Sequence, residues 1–360
     1  MISKYREAFE RTGSYRAAAR SLGVHHDTVR KALQIENLRA PEGDPFIIAK
    51  QNTLRNGKGE VIQTWTTTVP TATALRDNLE ELIETFRAQV SPLKPIDKSP
   101  KHCLKDLLAI YPVGDPHFGL KSWAEEVGED FDTDIARDDL CGAIDKLVEV
   151  TPQAETALLL ILGDLTHADD ETAATPASRN KLDVSDRHAR VIRVALDALI
   201  YSVRRLLTHH KKVHVWLTRG NHDPQSSYAI ALCLDAFFRA DPRVEVNIEP
   251  GMFKYMRWGN NLIGSTHGHA AKGKDLTSIM AVDRREDWGL TEHHFWLVGH
   301  IHHKTKETNG ATIESFNTLA ASDAWHHGAG YRSKRRLESI ILHIEHGDVE
   351  RHAVDIAMIR

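Results

Sequence analysis

The sequence is poor in cysteine: Cys103, Cys141 and Cys233 are far apart and form no CxxC pair. That excludes a disulfide framework and a cysteine-ligated zinc site, and it fits a reducing cytoplasm. No apolar run approaches the length of a membrane span. The opening residues, MISKYREAFERTG, are charged and helical in pattern, without the apolar stretch a signal peptide needs. A cytoplasmic protein with no membrane partner is expected. Internal repeats and long low-complexity segments are absent too. With 41% hydrophobic and 27% charged residues, the composition is that of an ordinary globular protein. What is plentiful is histidine, with 22 residues, many in short clusters after apolar runs.

At 360 residues the chain has room for two domains, or one large domain with an appendage. Residues 1–40 carry eight Lys and Arg against four acids, a net +4 on a chain whose total is −4. A basic end on an acidic body points to an anionic partner. Three short helices are expected over 3–34. The first ends at Gly13, the second runs from Ser14 as N-cap to Gly23, and the third sets Val24, Val29 and Leu33 on an apolar side. Ala17, Ala18 and Ala19 permit close helix approach. The pattern resembles a helix-turn-helix of the transposase and resolvase kind, with 24–34 as recognition helix and DNA as the partner of 14–34. A small interaction bundle is the alternative. Residues 46–70 read as a β-hairpin turning at RNGKGE, 72–90 as a helix, and SPLKPIDKSPK as a linker with three prolines. The expected domains are 1–40, 41–100 and 101–360.

From about residue 104 apolar runs alternate with amphipathic helices, the mark of an α/β layered fold with buried sheets. Each apolar run is followed by metal-ligating residue types. GDPHFG carries Asp115 and His117, GDLTHADD carries Asp164 and His167, and GNHDP carries Asn221, His222 and Asp223. HGH carries His267 and His269, and GHIHH carries His300, His302 and His303. Gly114, Gly163, Gly220 and Gly299 precede the polar residues and are expected to allow tight turns. Imidazole suits Zn, Fe and Mn, while carboxylate and amide oxygens suit harder ions. A structural zinc takes four ligands, and these candidates are too many for one ion. Two divalent cations bridged by one carboxylate would use them. On an extended backbone the D-x-H and H-x-H spacings place both side chains on one side, with His303 facing away.

The order D-x-H, GD, GNHD, H, GHxH resembles the calcineurin-like metallophosphoesterase family across roughly 107–346. The resemblance implies a β-sandwich of two mixed sheets flanked by helices. It implies that Asp115, His117 and His302 bind one cation, that Asn221, His267 and His300 bind the other, and that Asp164 bridges them. Manganese suits this set, and iron, zinc or magnesium also fit it. A water shared by the two ions would supply the nucleophile, and His222 would serve the leaving group. GDLTH is similar to the GDxxH of the recombination-repair nucleases in the family, which implies that His167 assists His222. The expected activity is therefore a metal-dependent DNA nuclease or phosphodiesterase. The alternative is hydrolysis of a nucleotide or other small phosphoester, with the helix-turn-helix used for DNA binding or regulation. The last strands are expected to end near residue 358, leaving no room for the DNA-capping domain that the ATPase-coupled repair enzymes carry. A homo-oligomer is compatible with the sequence.

Other residues divide less sharply. Asp223 either orients His222 or caps the following turn. His269 is expected beside the site or in solvent. His209–His210 and His326–His327 read as solvated loop residues, with the latter pair also able to face substrate. The insert 171–186 reads as a phosphate-contacting rim or a surface loop, and YRSKRR at 331–336 as a basic patch.

Overall fold

The computed structural model describes residues 3–29, 46–56, 60–70 and 100–360. The chain divides into two compact units, residues 1–95 and 96–360.

In the first unit, helices Ser3–Thr12 and Tyr15–Leu22 form where expected. Gly23 ends the second in the left-handed region at φ 64°, ψ 31°, where a side chain would be strained. Ser14 occupies the N-cap position, but its side chain makes no capping bond. Ala8, Ala18, Ala19 and Val29 form a small core, so the alanine run does allow close packing. The third helix is seen over residues 26–29; its continuation, the helix expected over 72–90 and the proline-containing segment to residue 99 lie outside the described residues. Strands β1 (Phe46–Arg55) and β2 (Val61–Pro70) pair antiparallel as the expected hairpin.

The second unit holds two mixed sheets. The first takes β3 (Leu104–Val113), β4 (Ala154–Ile161), β5 (Lys212–Leu217), β6 (Val244–Asn247), β12 (Arg336–His343) and β13 (Gly347–Asp355) in the order β13-β12-β3-β4-β5-β6. Strands β3 to β6 run parallel, and β12 pairs antiparallel to both neighbours. The second takes β7 (Lys254–Trp258), β8 (Asn261–Thr266), β9 (His293–Val298), β10 (Thr305–Asn309) and β11 (Ala311–Ser315) in the order β10-β11-β9-β8-β7. Here β8, β9 and β11 are parallel.

Period-two alternation explains the layers. Ala109, Tyr111 and Val113 of β3, with Leu159 and Ile161 of β4, pack on helices Thr133–Val150, His188–Leu207 and Ser226–Phe238. Their neighbours Leu108, Ile110, Leu158 and Leu160 face the other way, against Ile263, Phe295 and Leu297 of the second sheet. Trp296 closes the outer layer against helix Gly273–Asp283, its indole N–H donating to the Leu276 carbonyl at 2.8 Å. Each large apolar side chain fully buried here stabilises the fold by roughly 1.5–3 kcal/mol. Among the described residues no helix is long and apolar enough to cross a membrane.

The structure departs from the pattern in several places. β6, β7 and β10 are short or polar strands. The polar run KTKETNG supplies edge strand β10, whose solvated side chains mask its strand character. His210 is not solvated: it is fully buried, accepting from the Tyr111 hydroxyl at 2.8 Å and donating from Nδ1 to the Ala154 carbonyl at 2.7 Å.

Candidate metal centre

Parallel strands deliver their carboxyl ends to one place, and loops there are free of ladder hydrogen bonds. The segments after β3, β4 and β5 of one sheet and after β8 and β9 of the other bring the candidate side chains together. Two trios emerge. Ligand atoms of Asp115, His117 and His302 lie within 4.8 Å of one another, as do those of Asp164, His267 and His300. Asp164 stands between them: its Oδ2 is 3.2 Å from His267 Nε2 and 4.0 Å from His117 Nε2, while its Oδ1 accepts the His222 backbone N–H at 2.8 Å. Asn221 Oδ1 is 3.1 Å from His267 Nε2.

The backbone that presents these residues is not extended, which corrects the reason expected for their facing. Among the described residues seven non-glycine residues have positive φ, and five of them are Asp115 (41°), His117 (45°), Asp164 (48°), His300 (73°) and His302 (59°). Each left-handed residue costs of order 1 kcal/mol or more, and such residues persist where the surroundings hold them. At five of the seven candidate ligands, Asn221 and His267 being the exceptions, a left-handed residue rather than the pleat of a strand turns the side chain inward. His303 does face away: it is exposed, and its Nδ1 donates to the Ile301 carbonyl at 2.6 Å. His269 is exposed as well.

The glycines act mainly by absence of bulk. Of the four before the polar residues only Gly163, at φ 97°, needs glycine for its backbone. At Gly220 a Cβ would lie 1.9 Å from Asp164 Oδ1. The expectation of tight turns therefore holds for one of the four, and close approach accounts for the rest.

Donor and acceptor counting tests whether cations fit. His267 Nδ1–H donates to the Leu162 carbonyl at 2.7 Å, so Nε2 of the neutral ring is a lone pair. That lone pair faces the Asp164 and Asn221 oxygens, two further acceptors. A proton or a metal cation is needed to reconcile them. Protonation is the answer in the bare protein: burial opposes it, but the Asp164 and Asp115 carboxylates raise His267 to about 10. Burial, reinforced by the Asp164 charge, raises Asp115 to about 7 even against His267. Burial lowers His302 to about 3, with His326 adding to the effect, and lowers His300 to about 4, with His267 adding. These are unprotonated imidazoles beside carboxylates, the donor set a divalent cation takes. The fit is good for two ions.

The remaining expected residues lie beside these ligands. His222 Nδ1–H donates to the His167 carbonyl at 2.8 Å, leaving Nε2 as its other nitrogen. His167 is buried, its ring stacked on His222 at 5.3 Å, with Nδ1 3.2 Å from His117 Nδ1. Its Nε2 has no hydrogen-bond partner. Burial, then the neighbouring His222, lowers it to about 3, so the ring is neutral. Asp223 does not touch the His222 ring. Its carboxylate accepts Gly220 N–H at 3.1 Å and Thr166 N–H at 3.2 Å, fastening the β5 loop to the β4 loop. Burial, with the Asp164 charge, raises it to about 8. Asp169 holds the same loop by accepting the Ser226 N–H at 2.7 Å.

Two further expectations change. In YRSKRR, Arg335 is engaged by Glu129 (2.5 Å), Asp139 and the Leu319 carbonyl, and Arg336 is partly buried, so the patch reduces to Arg332 and Lys334. His326 is not a solvated bystander: it stacks on His302 at 4.9 Å and 20°. The HisHis doublet was its only trace in the sequence. In the insert, Arg179, Asn180 and Lys181 are exposed.

Residues 108–329 match a family model described as calcineurin-like phosphoesterase. No curated protein matches the sequence. Among solved structures, similar chains include a dimetal phosphatase from Danio rerio, 9% identical over 69% of this chain and 99% of that one, TM-score 0.38. A conserved uncharacterised protein, a predicted phosphoesterase from Streptococcus pneumoniae, is 10% identical over 70% and 99%, TM-score 0.29. The phosphopantetheinyl hydrolase of Mycobacterium tuberculosis is 11% identical over 64% and 94%, TM-score 0.27.

Proposed function

The chain belongs to the calcineurin-like phosphoesterase family, and from that premise we propose that it is a phosphodiesterase acting on nucleic acid, a DNA nuclease, dependent on two divalent cations. The observation that carries this reading is the convergence of two three-residue ligand sets about Asp164, with His222 and His167 beside them. Asp115, His117 and His302 would hold one cation, Asn221, His267 and His300 the other, with Asp164 shared. Manganese suits the mixed imidazole and oxygen donors. When bound, the cations supply Lewis acidity and an activated water.

The chain's own residues do the rest. His222 is fixed at Nδ1 by the His167 carbonyl, which aims Nε2 as the proton donor for the departing oxygen. If His117 offers Nε2 to a cation, its Nδ1–H donates to His167, and His167 then carries its proton on Nε2. That buried N–H has no hydrogen-bond partner among the described residues. Asp223 positions the loop from which both Asn221 and His222 project.

The basic residues 1–40 support DNA as the partner, and their pattern supports a helix-turn-helix domain followed by a connecting region over 41–100 and the catalytic domain over 101–360. The unpaired cysteines support a cytoplasmic setting. The second reading, a small phosphoester substrate, is favoured by charge: outside 1–40 the chain is acidic and Arg335 is already paired, a poor surface for duplex DNA. The test is a substrate panel with Mn²⁺: labelled single- and double-stranded DNA, cyclic nucleotides and phosphomonoesters. Cleavage of DNA supports the first reading. Hydrolysis restricted to small esters overturns it in favour of the second.

A further inference from the structure

Beside His302 lies an aromatic group that the chemistry above does not use. Helix Ala324–Gly328 and the loop after it carry Trp325, His326 and Tyr331. His326 stacks on His302 at 4.9 Å. Trp325 meets His326 edge-on at 4.9 Å, and Trp325 and Tyr331 stack on each other at 5.8 Å and 25°. The outermost rings, Trp325 and Tyr331, are 67% and 52% exposed. A single exposed aromatic is ordinary; two stacked ones, two ring steps from a candidate ligand, form a surface.

The surface is fixed in place. Asp323 Oδ1 accepts both the His326 backbone N–H and its Nδ1–H at 2.7 Å. The Ser122 hydroxyl donates to the Ser322 carbonyl at 2.8 Å, and the Ser333 hydroxyl donates to the His302 carbonyl itself. A cavity of about 100 Å³ opens between this segment and His302, lined also by Ser333, Arg335 and Glu129. The Arg335 guanidinium faces that cavity but is engaged by Glu129 and Asp139. Among the described residues lining this cavity Arg335 is the one Lys or Arg, and it is already paired; what the wall offers is π-faces. Planar heteroaromatic rings stack on such faces whatever their hydrogen-bonding edge.

We propose that Trp325 and Tyr331 form a stacking platform for a nucleobase, placed so that the attached phosphate reaches the ligand trios. This rests on the phosphodiester reading and names the substrate feature that reading leaves open. The base belongs to a free nucleotide or to a strand, and the arms of the test separate the two.

Binding is measured by calorimetry with Mn²⁺ on the wild type, Trp325→Ala and Trp325→Phe. One pair of probes is 2′-deoxyadenosine 5′-monophosphate and 2-deoxyribose 5-phosphate. The other is a deoxyadenosine oligomer and its abasic counterpart. In the wild type the base-bearing member should bind about tenfold tighter, the scale of one base stacked on an aromatic ring. Trp325→Ala should bring that ratio near unity without weakening the baseless probe, and Trp325→Phe should restore most of it. A ratio confined to the oligomers assigns the platform to a strand; one present in the monomers assigns it to free nucleotides. A wild-type ratio near unity in both pairs, or a ratio that survives Trp325→Ala, overturns the proposal. Failure of the loaded wild type to hydrolyse any phosphodiester would instead sink the activity, and it is read separately from these binding ratios.

Discussion

The Nε2 atoms of His117 and His302 approach to 3.2 Å although they lie 185 positions apart in the sequence. Two imidazole nitrogens aimed at each other need a proton or a cation between them. His302→Ala should therefore weaken Mn²⁺ binding at least about 10–100-fold, the range known even for groups that only support a ligand, and remove activity. His303→Ala should change both by less than about twofold, since its side chain is exposed and bonded only to its own loop. Calorimetric metal titration of the two variants checks this. Equal damage from both would mean the loop's facing is wrong.

His222 is expected to affect rate and not cation binding. Its Nδ1 is held by a carbonyl, and although it groups with His117 and His167 it shares no trio with Asp164. His222→Ala should slow hydrolysis of bis-p-nitrophenyl phosphate by roughly 10²–10⁴-fold with metal content unchanged. Full activity in that variant would remove it from the leaving group.

Gly220→Ala should fail for steric reasons. The new methyl would sit 1.9 Å from Asp164 Oδ1 and 2.3 Å from the Asp164 backbone nitrogen, and neither can move without displacing a candidate ligand. A loss of about 1–3 kcal/mol is expected, visible as a lower melting temperature together with weaker Mn²⁺ binding. Gly273→Ala, where a Cβ meets nothing within 4 Å, is the control and should show neither effect.

The strand-end chemistry was legible because each ligand segment follows a run of apolar residues that can only be a buried strand. The positions of Asp115, Asp164 and His267 followed from that alone. The backbone conformation of Asp115 and Asp164 did not, since left-handed φ at a non-glycine residue is imposed by packing and leaves no mark in residue type. β10 was hidden because an edge strand needs no apolar face. His210 was misplaced because burial of one histidine in a doublet depends on a tyrosine 99 positions away.

That histidine sets a pH dependence. Burial lowers His210 to about 4 in the folded protein, against about 6.5 when unfolded. Below pH 6.5 the unfolded chain takes up a proton that the folded chain refuses. Stability contributed here is complete above 6.5 and is lost as pH falls towards 4, by up to ~3 kcal/mol. His210→Asn, whose amide can still donate to the Ala154 carbonyl, should be less stable at pH 7 yet show a flatter decline between pH 6.5 and 4.5. An unchanged slope in urea unfolding would assign the dependence to other groups.

Removal of residues 1–40 should lower affinity for duplex DNA at least about tenfold in moderate salt, because the chain's basic excess lies there. Mn²⁺-dependent hydrolysis of a small diester should be unaffected. Unchanged DNA affinity in a binding titration would sink the role assigned to this segment.

The candidate ligands come from the ends of β3, β4, β5, β8 and β9, so the first and last of them, Asp115 and His302, belong to different sheets. No local fragment contains either of the trios built on Asp115 and Asp164. During synthesis Asp115 and His117 emerge long before His302, and the trio they form with it stays incomplete until the second sheet has paired and closed on the first. Such long-range contacts form late. Cations therefore cannot nucleate this fold. They register its completion, and a chain cut short before the β9 loop would carry the early motifs intact while lacking His300 and His302, one residue of each trio.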